Sequence, residues 1–463
     1  MNKYQTLVAN TALISIGTFG SKLLVFLMVR FYTGYLTPAE YGTADLITQT
    51  ANLLIPLASL DVAEGVFRFA ADRREQRADV FSAGAYTLLF GTAALLLALP
   101  LLKLMAGSDQ LGTLLAAFII AACIHALCAQ FIRAEGHTTL YAVQGLFNTA
   151  LYIALNVLFL TVFRWGVMGY LLSTVAADLM SALFLICREK LWRYFRPLPN
   201  AALWRRMLAY CVPLIPTAIF WWIMGVSDRY MVKWFIGSEA NGIYAVAYKI
   251  PTILTILATV FMDAWQLSAI AESGDRRAQA RFYARVWDAF FSAVCLCAGG
   301  IIAFSPLLIR LLAAESYHDA WRYIPVLTLS MIAAAFSNFM GSVYVVTKKS
   351  TASLWTSLAG AAANIALDLL LIPRIGVQGA AVATFLGCLL VFLMRTVSAR
   401  RLLPFHLSGG KLTLGALVLL VQTAVMLLRP GGWLVVQGAS LLILFILALR
   451  PMLAAAQTVL QRK

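Results

Sequence analysis

Charged residues are scarce in this chain. Only 12% of its 463 residues are Asp, Glu, Lys or Arg, while 62% are hydrophobic and the mean hydropathy is +0.83. Soluble domains carry about 25% charged residues. Apolar stretches recur from end to end with brief polar interruptions. This composition excludes a soluble globular protein and predicts an integral membrane protein that crosses the bilayer many times.

Cysteine and histidine are also scarce, and neither is arranged as a ligand set. The seven cysteines lie within or at the edges of apolar stretches, where Cys behaves as a small hydrophobic residue. The four histidines are scattered, without the spacing of a metal site: His125, His137, His318 and His406. We therefore expect neither disulfides nor a metal centre, and no cofactor.

The sequence lacks the usual signs of a membrane enzyme. A glycosyltransferase or a polysaccharide polymerase normally carries a catalytic carboxylate or a metal motif in a sizeable polar loop, and there is no such loop here. The motifs Asp-x-Asp, His-Glu-x-x-His and Gly-x-Ser-x-Gly are missing as well. We expect the protein not to be an enzyme.

Fourteen segments have the length of a membrane-spanning helix, which needs about 20 mostly apolar residues. We predict an all-α, polytopic fold with fourteen transmembrane helices, at residues 8–32, 43–67, 80–102, 111–133, 140–163, 167–187, 207–235, 242–266, 283–304, 321–346, 351–372, 377–398, 411–428 and 432–450.

The positive charge is distributed unevenly between the two sets of loops. The 36 Lys and Arg residues give a net charge of +16, and most of them, including Arg395, Arg400 and Arg401, fall in the loops on the side of the N-terminus. Such a bias is typical of cytoplasmic loops. We therefore expect a multi-pass protein of the cytoplasmic membrane with both termini in the cytoplasm, contacts with membrane lipids, and no nucleic acid partner.

Two parts of the chain resemble each other. Residues 153–160 (IALNVLFL) and 164–169 (RWGVMG) match residues 365–372 (IALDLLLI) and 374–379 (RIGVQG). The Gly pairs fit a tight turn between helices, which needs positive φ or close packing. A second similarity links residues 36–42 with residues 235–242. Repeats at this offset predict two pseudo-symmetric bundles.

This repeat predicts the organisation of the chain. Residues 1–187 form an N-terminal six-helix bundle, 207–400 a C-terminal six-helix bundle, and 401–463 an additional helix pair with a cytoplasmic tail. Residues 188–206 are basic and aromatic, and we expect them to form an amphipathic cytoplasmic linker that lies against anionic lipid.

Three motifs in order resemble the oligosaccharide flippases of the multidrug/oligosaccharidyl-lipid/polysaccharide exporter superfamily. The first is Arg30 with residues 36–42 (LTPAEYG). The second comprises Asp228-Arg229 with residues 242–244 (GIY) and 247–251 (AYKIP). The third is residues 364–368 (NIALD) with the Pro and Gly residues that follow. The resemblance covers nearly the whole chain.

The resemblance implies an exporter that moves a polyprenyl-linked saccharide to the outer leaflet by alternating access. Its substrate is a lipid-linked oligosaccharide, which is used in the synthesis of cell-envelope polysaccharide. Enzymes of polysaccharide synthesis are candidate partners, and the oligomeric state is left open.

Ionisable residues within the predicted spans mark a candidate transport site, because each costs about 2.5–3.5 kcal/mol on insertion scales. A lipid pyrophosphate is a dense anion that Arg and Lys bind well. We expect a cationic cavity between the bundles that binds this head group through Lys22, Arg30, Arg229 and Lys249.

The intramembrane acids allow two interpretations. They could bind H⁺ or Na⁺ as coupling ions, or they could form structural ion pairs with nearby bases. The residues concerned are Asp61, Glu64, Arg68, Asp228 and Asp263. The spacing of the first three predicts that they share one helical face. Asn364 and Asp368, one turn apart, are interpreted as polar groups in helix packing.

A second function remains open. An ion-coupled multidrug or organic-cation antiporter of the same superfamily would have a similar fold. Its site should be acidic, whereas the spans here carry several bases. A twelve-span drug exporter would also have no need of the last predicted pair, so the sequence favours the flippase.

Overall fold

The computed structural model describes residues 20, 23–71, 75–197, 200–271, 276–346 and 350–460. These residues form α-helices joined by short turns, with no β-strand among them. The chain divides into two compact units, unit 1 (Met1–Trp222) and unit 2 (Ile223–Lys463). The predicted all-α fold is confirmed.

The described part of unit 1 contains nine complete α-helices. They are α1 (Val29–Tyr35), α2 (Pro38–Ser59), α3 (Val62–Ala70), α4 (Arg77–Leu97), α5 (Leu99–Ala106), α6 (Asp109–Ala134), α7 (Thr138–Val157), α8 (Gly166–Glu189) and α9 (Ala201–Cys211). A π-helical turn, Leu158–Val162, extends α7, and a 3₁₀ turn, Leu191–Tyr194, follows α8. The division between the units falls within α10 (Ile215–Phe235).

Unit 2 continues with helices that are on average longer. They are α11 (Ser238–Lys249), α12 (Thr252–Ala271), α13 (Arg276–Leu312), α14 (Ile324–Val346), α15 (Ser350–Ile375), α16 (Val377–Leu402), α17 (Gly409–Leu428) and α18 (Trp433–Leu460). A 3₁₀ segment, Glu315–Arg322, joins α13 to α14. Helix α16 packs on both α14 and α15.

Ten helices in the described part of the chain are long and apolar enough to cross a membrane. An eleventh is added if the bent pair Ala201–Phe220 and Trp222–Phe235, with an angle of 43°, is one span. The first predicted span lies largely outside the described residues, and the last corresponds to a shorter apolar helix, Trp433–Leu449. The multi-pass prediction is confirmed, while the count of fourteen stays a prediction.

The second predicted span, residues 43–67, is not one continuous helix. Helix α2 ends at Ser59, and both Leu60 and Asp61 adopt left-handed backbone conformations, with φ of 49° and 53°. Asp61 then precedes α3, which carries Glu64 and Arg68. The prediction of one shared helical face is therefore wrong for Asp61. The sequence does not mark this break, because neither Leu60 nor Asp61 is a glycine, the residue that most readily adopts a left-handed conformation.

The two repeated sequence motifs form hairpins with the same local geometry. The first glycine of each, Gly166 and Gly376, has a positive φ, of 53° and 64°. The second glycine packs closely on the preceding turn: a Cβ on Gly379 would lie 2.6 Å from the carbonyl carbon and oxygen of Leu371, and one on Gly169 would lie 3.1 Å from Phe159 Cβ. Both reasons expected for glycine are thus present in each hairpin.

The motif at residues 36–42 begins α2. The Thr37 hydroxyl accepts a hydrogen bond from the Glu40 backbone N–H at 3.3 Å, and the Thr37 N–H donates to Glu40 Oε2 at 2.9 Å. With Pro38 as the first helical residue, this is a capping box, in which each of the two residues satisfies a backbone N–H of the other.

The predicted linker, residues 188–206, packs on α4 of unit 1. Arg196 Nη1 lies 2.7 Å from Asp79 Oδ1, Tyr86 OH donates to Pro197 O at 2.6 Å, and Trp204 Nε1 donates to Thr87 Oγ1 at 2.8 Å. Trp192 and Phe195 are exposed. The linker is therefore held by specific bonds on one side, and its contact with anionic lipid stays a prediction.

Arg395 does not lie in a loop, although the prediction of membrane orientation places it among the basic residues of the cytoplasmic loops. Its side chain is buried within unit 2, where Nη2 donates to Ser357 Oγ at 2.9 Å and Nε donates to Thr356 Oγ1 at 3.2 Å. Nη1 donates to the Ser337 carbonyl at 3.2 Å. Hydroxyl and carbonyl groups of α14 and α15 thus form hydrogen bonds with a charged group that the predicted span ends placed in a loop.

The C-terminal helix pair packs on α13 in unit 2. Gln422 Nε2 donates to the Gly299 carbonyl at 3.0 Å, and Gln437 Nε2 donates to the Gln422 carbonyl at 2.9 Å. Lys411 Nζ forms an ion pair with Asp288 Oδ2 at 2.9 Å. Buried polar bonds therefore join this pair to the rest of unit 2.

Gly379→Ala is expected to destabilise unit 2, because its Cβ would overlap the Leu371 carbonyl. Overpacking of this kind costs about 1–3 kcal/mol, so the Tm of the purified protein should fall. Gly300→Ala is the matched control: it is also helical, but nothing lies within 4 Å of its Cβ position. Equal Tm values for the two variants would contradict this packing.

Candidate functional site

The carboxylate of Asp228 is the centre of a buried polar cluster in unit 2. Asp228 lies on α10 and is 1% exposed. Its Oδ2 accepts hydrogen bonds from Tyr244 OH at 2.7 Å and Tyr248 OH at 3.0 Å. Thr384 Oγ1 lies 3.1 Å from the same oxygen and shares its one hydroxyl proton with the Ala380 carbonyl at 3.0 Å. Its Oδ1 accepts from the backbone N–H of Arg229 at 2.8 Å. Residues of α11 and α16 thus supply the donors that a buried carboxylate requires.

A second acid lies beside this cluster. Asp368, on α15, is fully buried, and neither of its carboxylate oxygens has a hydrogen-bond partner among the described residues. The two carboxylates are close enough for Asp228 to act electrostatically on Asp368. Asp368 thus differs from Asp228, whose oxygens are hydrogen-bonded by neighbouring helices, and its packing role stays a prediction.

Asn364, one turn before Asp368, connects α15 to α10. Its Oδ1 accepts a hydrogen bond from Ser227 Oγ at 3.1 Å, next to Asp228 in the sequence. Its Nδ2 is buried without a partner in the described structure. The prediction of a packing role holds for the Asn364 oxygen, while the amide nitrogen contributes another unsatisfied polar atom to the cluster.

This arrangement favours the binding of a small cation. Two carboxylates that are buried side by side repel each other, and the positive charge of Arg229 beside Asp228 offsets part of this repulsion. Either one proton, or a metal cation held by oxygen ligands, would relieve the repulsion. The oxygens of Asp368 are the atoms with free coordinating capacity, and Thr384 and Asn364 offer further oxygens nearby. Hard cations prefer such oxygen donors.

The predicted basic residues are divided between the two units. Arg30 lies on α1 of unit 1 and is exposed. Arg229, on α10, is 7% exposed, and its guanidinium lies 4.7 Å from the centre of the Tyr248 ring. Lys249 is the last residue of α11. Lys22 lies outside the described residues, so the shared cationic cavity stays a prediction.

The predicted acidic residues of unit 1 do not form the expected internal pairs. Glu64 Oε1 accepts a hydrogen bond from Gln130 Nε2 at 3.0 Å on α6, and both Glu64 and Arg68 are exposed. In the described part of the chain, neither takes part in an ion pair. Asp263 belongs to α12, but its side chain lies outside the described structure. Asp228 accepts hydrogen bonds from hydroxyl groups, and the neighbouring Arg229 acts on it electrostatically, so the ion-pair interpretation of Asp228 stays open.

Similarity to known proteins now identifies the family. A sequence profile described as polysaccharide biosynthesis protein matches residues 7–266, which is more than half of the chain. The chain belongs to this family. No curated protein sequence matches it.

Solved structures of membrane transporters are similar to this chain in fold. A structure of the lipid II flippase MurJ in an inward closed conformation is 14% identical in sequence, with a TM-score of 0.72, and the match covers 94% of this chain and 98% of that one. An inward-facing multidrug resistance MATE family transporter of the MOP superfamily is 15% identical, with a TM-score of 0.66 and coverage of 82% and 95%. A point mutant of the Vibrio cholerae MATE transporter VcmN is 15% identical, with a TM-score of 0.58 and coverage of 86% and 96%.

The sequence indicated only part of the Asp228 cluster in this family member. Asp228 was a candidate, but Tyr244, Tyr248 and Thr384 were not predicted as its donors. The two tyrosines stand four residues apart, which places them on one face of α11, and they belong to motifs already quoted for the family. That spacing was the available signal. Thr384 gave none, because a Thr in an apolar helix usually bonds its own backbone.

The cluster predicts that cations stabilise the folded protein. Ligand at 100 times its Kd would stabilise the wild type by about 2.7 kcal/mol, so the Tm in detergent should rise with added Na⁺ at fixed pH, or with falling pH when Na⁺ is replaced by choline. Asp368→Asn should lose this response, since it removes one of the two charges.

Asp288→Asn is the control for this experiment, because it removes an acid of unit 2 that pairs with Lys411 outside the cluster. This variant should keep the cation response. A wild-type Tm that is indifferent to both Na⁺ and pH, or an unchanged response in Asp368→Asn, would rule out cation binding at these carboxylates.

Proposed function

We propose that this protein is a flippase that moves a polyprenyl-(pyro)phosphate-linked oligosaccharide from the inner to the outer leaflet of the cytoplasmic membrane. The product would serve the synthesis of cell-envelope polysaccharide. Membership of the polysaccharide biosynthesis protein family is the observation that carries this proposal. The similarity in fold to a lipid II flippase supports it, because that protein's title names a lipid-linked substrate.

The proposed site for the substrate head group comprises Lys22, Arg30, Arg229 and Lys249. A pyrophosphate needs multiple donors and positive charge, and the planar guanidinium of Arg can bind two phosphate oxygens at once. Arg229 has the most defined surroundings of the four: it is nearly buried, and its guanidinium packs on the Tyr248 ring. Such packing keeps the guanidinium in a fixed orientation.

Transport would proceed by alternating access in a fourteen-span protein with both termini in the cytoplasm. Bundles formed by the two halves of the chain would rock about the substrate site. In this proposal the two six-helix bundles are residues 1–187 and 207–400, joined by the linker at 188–206. The pair at 401–463 is an addition to the bundle formed by 207–400.

Cation binding at Asp228 and Asp368 would supply the energy for the cycle. Asp228 and Arg229 are consecutive residues of α10, and the backbone N–H of Arg229 donates to the Asp228 carboxylate at 2.8 Å. A cation at the carboxylates and an anionic head group at Arg229 would therefore act on the same turn of one helix. This proximity provides a direct physical route for coupling ion movement to substrate movement.

The alternative is an ion-coupled exporter of drugs or organic cations. The similarity in fold to MATE transporters and the buried acids of unit 2 favour it. An organic cation would have to replace the coupling ion near Asp368, whereas a phosphate-bearing lipid would be repelled there and attracted by the bases. The effect of substituting the bases therefore separates the two functions.

Deletion of the gene should cause the lipid-linked oligosaccharide to accumulate on the inner leaflet. Wild-type protein should reverse the accumulation, whereas Lys22→Ala and Arg229→Ala should lose most of this ability, because each removes positive charge from the proposed head-group site. The measurement is the amount of lipid-linked oligosaccharide in each leaflet, with protein levels matched by immunoblot.

Lys233→Ala is the matched control, since Lys233 lies one turn after Arg229 on α10 but is exposed. It should restore export like the wild type. Full restoration by Lys22→Ala and Arg229→Ala would contradict the head-group site. No accumulation in the deletion strain, together with increased sensitivity to cationic drugs, would favour the drug exporter.

A further inference from the structure

Unit 1 contains a polar cluster of its own, which the proposed function does not use. His125 lies on α6, Gln144 and Asn148 on α7, and Asp178 on α8. His125 Nδ1 lies 3.0 Å from Asp178 Oδ1, and His125 Nε2 lies 2.8 Å from Gln144 Oε1. Asn148 Nδ2 donates to the same Asp178 oxygen at 2.9 Å. Hydrogen bonds therefore connect three helices within the apolar part of unit 1.

The contacts of His125 with Asp178 and Gln144 bear on its protonation state; Asn148 Nδ2, which donates to Asp178, also lies 3.2 Å from His125 Nδ1. A carboxylate and an amide oxygen are both acceptors, so each ring nitrogen must donate a proton to form its bond. A neutral imidazole has only one N–H, whereas the imidazolium has two. With an ionised Asp178 and the Gln144 amide oxygen facing Nε2, the geometry fits the doubly protonated ring, and the Asp178 carboxylate provides the opposite charge.

Burial by itself disfavours a charged ring, so the assignment depends on the partners of His125. The side chains of His125 and Asp178 are 15% and 13% exposed, and Gln144 is 5% exposed. An imidazolium in such surroundings needs a paired anion and satisfied hydrogen bonds. The cluster supplies both, and Asn148 adds a further donor to the carboxylate.

Other charged side chains near α6 are engaged elsewhere. Asp178 is the charged group that acts on His125. The helices packed around the cluster carry further charged residues, whose contacts lie away from His125. Three acids form hydrogen bonds with polar side chains: Glu40 with Thr37, Asp45 with Gln49 and Glu64 with Gln130. The other contacts are ion pairs, Arg77 with Glu135, Asp79 with Arg196, Lys103 with Asp109 and Glu189 with His137, and the packing of Arg133 on Phe67 and Tyr141. Arg68 and Arg188 are exposed.

We propose that the His125–Asp178 pair is a proton-binding site in unit 1, separate from the carboxylates of unit 2. In the described arrangement His125 is protonated, and its ring nitrogens donate hydrogen bonds from α6 to Gln144 on α7 and Asp178 on α8. Loss of the proton leaves one ring nitrogen facing an oxygen without a hydrogen between them. That bond is then broken, so movement of α7 or α8 is coupled to proton release.

Nitrogen NMR of the full chain in lipid nanodiscs tests the proposal directly. The four histidines are labelled with ¹⁵N, and the His125 signals are identified by their loss in His125→Gln. At neutral pH both His125 nitrogens should show the shifts of protonated ring nitrogens. In Asp178→Asn the ring loses its counter-ion, so the doubly protonated signature should disappear.

Two further variants make the result decisive. Gln144→Glu places an acceptor beside Nε2 whichever way the side chain lies, so the wild-type signature should be retained. His137→Gln removes an exposed histidine that pairs with Glu189 and should leave the His125 signals unchanged. A wild-type ring with one unprotonated nitrogen at neutral pH would overturn the proposal. The proposal would also be overturned if the wild-type ring were neutral and became doubly protonated only in Gln144→Glu. In that case the Gln144 amide N–H of the wild type would donate to Nε2.

Discussion

A carboxylate buried among apolar helices must obtain its hydrogen bonds from other helices, and Asp228 does so from α11 and α16. Hydrogen bonds to a charged group contribute about 1.5–3 kcal/mol each, so Tyr244, Tyr248 and Thr384 together hold three helices of unit 2 around one charge. Asp368 lacks such donors among the described residues. In the proposed mechanism, a proton or a cation binds beside Asp368 and supplies it with a positive charge.

The repeat in the sequence shows that the two units differ at the position of Asp368. Asp368 stands where the matching motif of unit 1 has Asn156, a buried neutral residue whose Nδ2 donates to the Tyr152 carbonyl at 2.8 Å. Unit 1 therefore has no acid at this position, and its partly buried His125 and Asp178 lie elsewhere, on α6 and α8. The two units share a hairpin geometry but have chemically different polar clusters, an acid pair in unit 2 and a His–Asp pair in unit 1.

Composition and short motifs predicted much of the fold. Hydropathy predicted a multi-pass helical protein, and the repeated glycines predicted hairpins whose positive φ and close packing the structure confirms. Features that depend on three-dimensional contacts were not predictable. The break at Leu60 and Asp61 has no glycine to mark it, the burial of Arg395 depends on hydroxyl groups of other helices, and His125 meets Asp178 only because α6 packs on α8.

In the proposed mechanism, the carboxylates of unit 2 couple cation binding to the movement of an anionic lipid. The most direct test uses purified protein in liposomes with a labelled polyprenyl pyrophosphate-linked oligosaccharide. An imposed Na⁺ or proton gradient should accelerate its translocation by the wild type, and Asp228→Asn should abolish the acceleration. Translocation by the wild type at the same rate with and without either gradient would contradict the account.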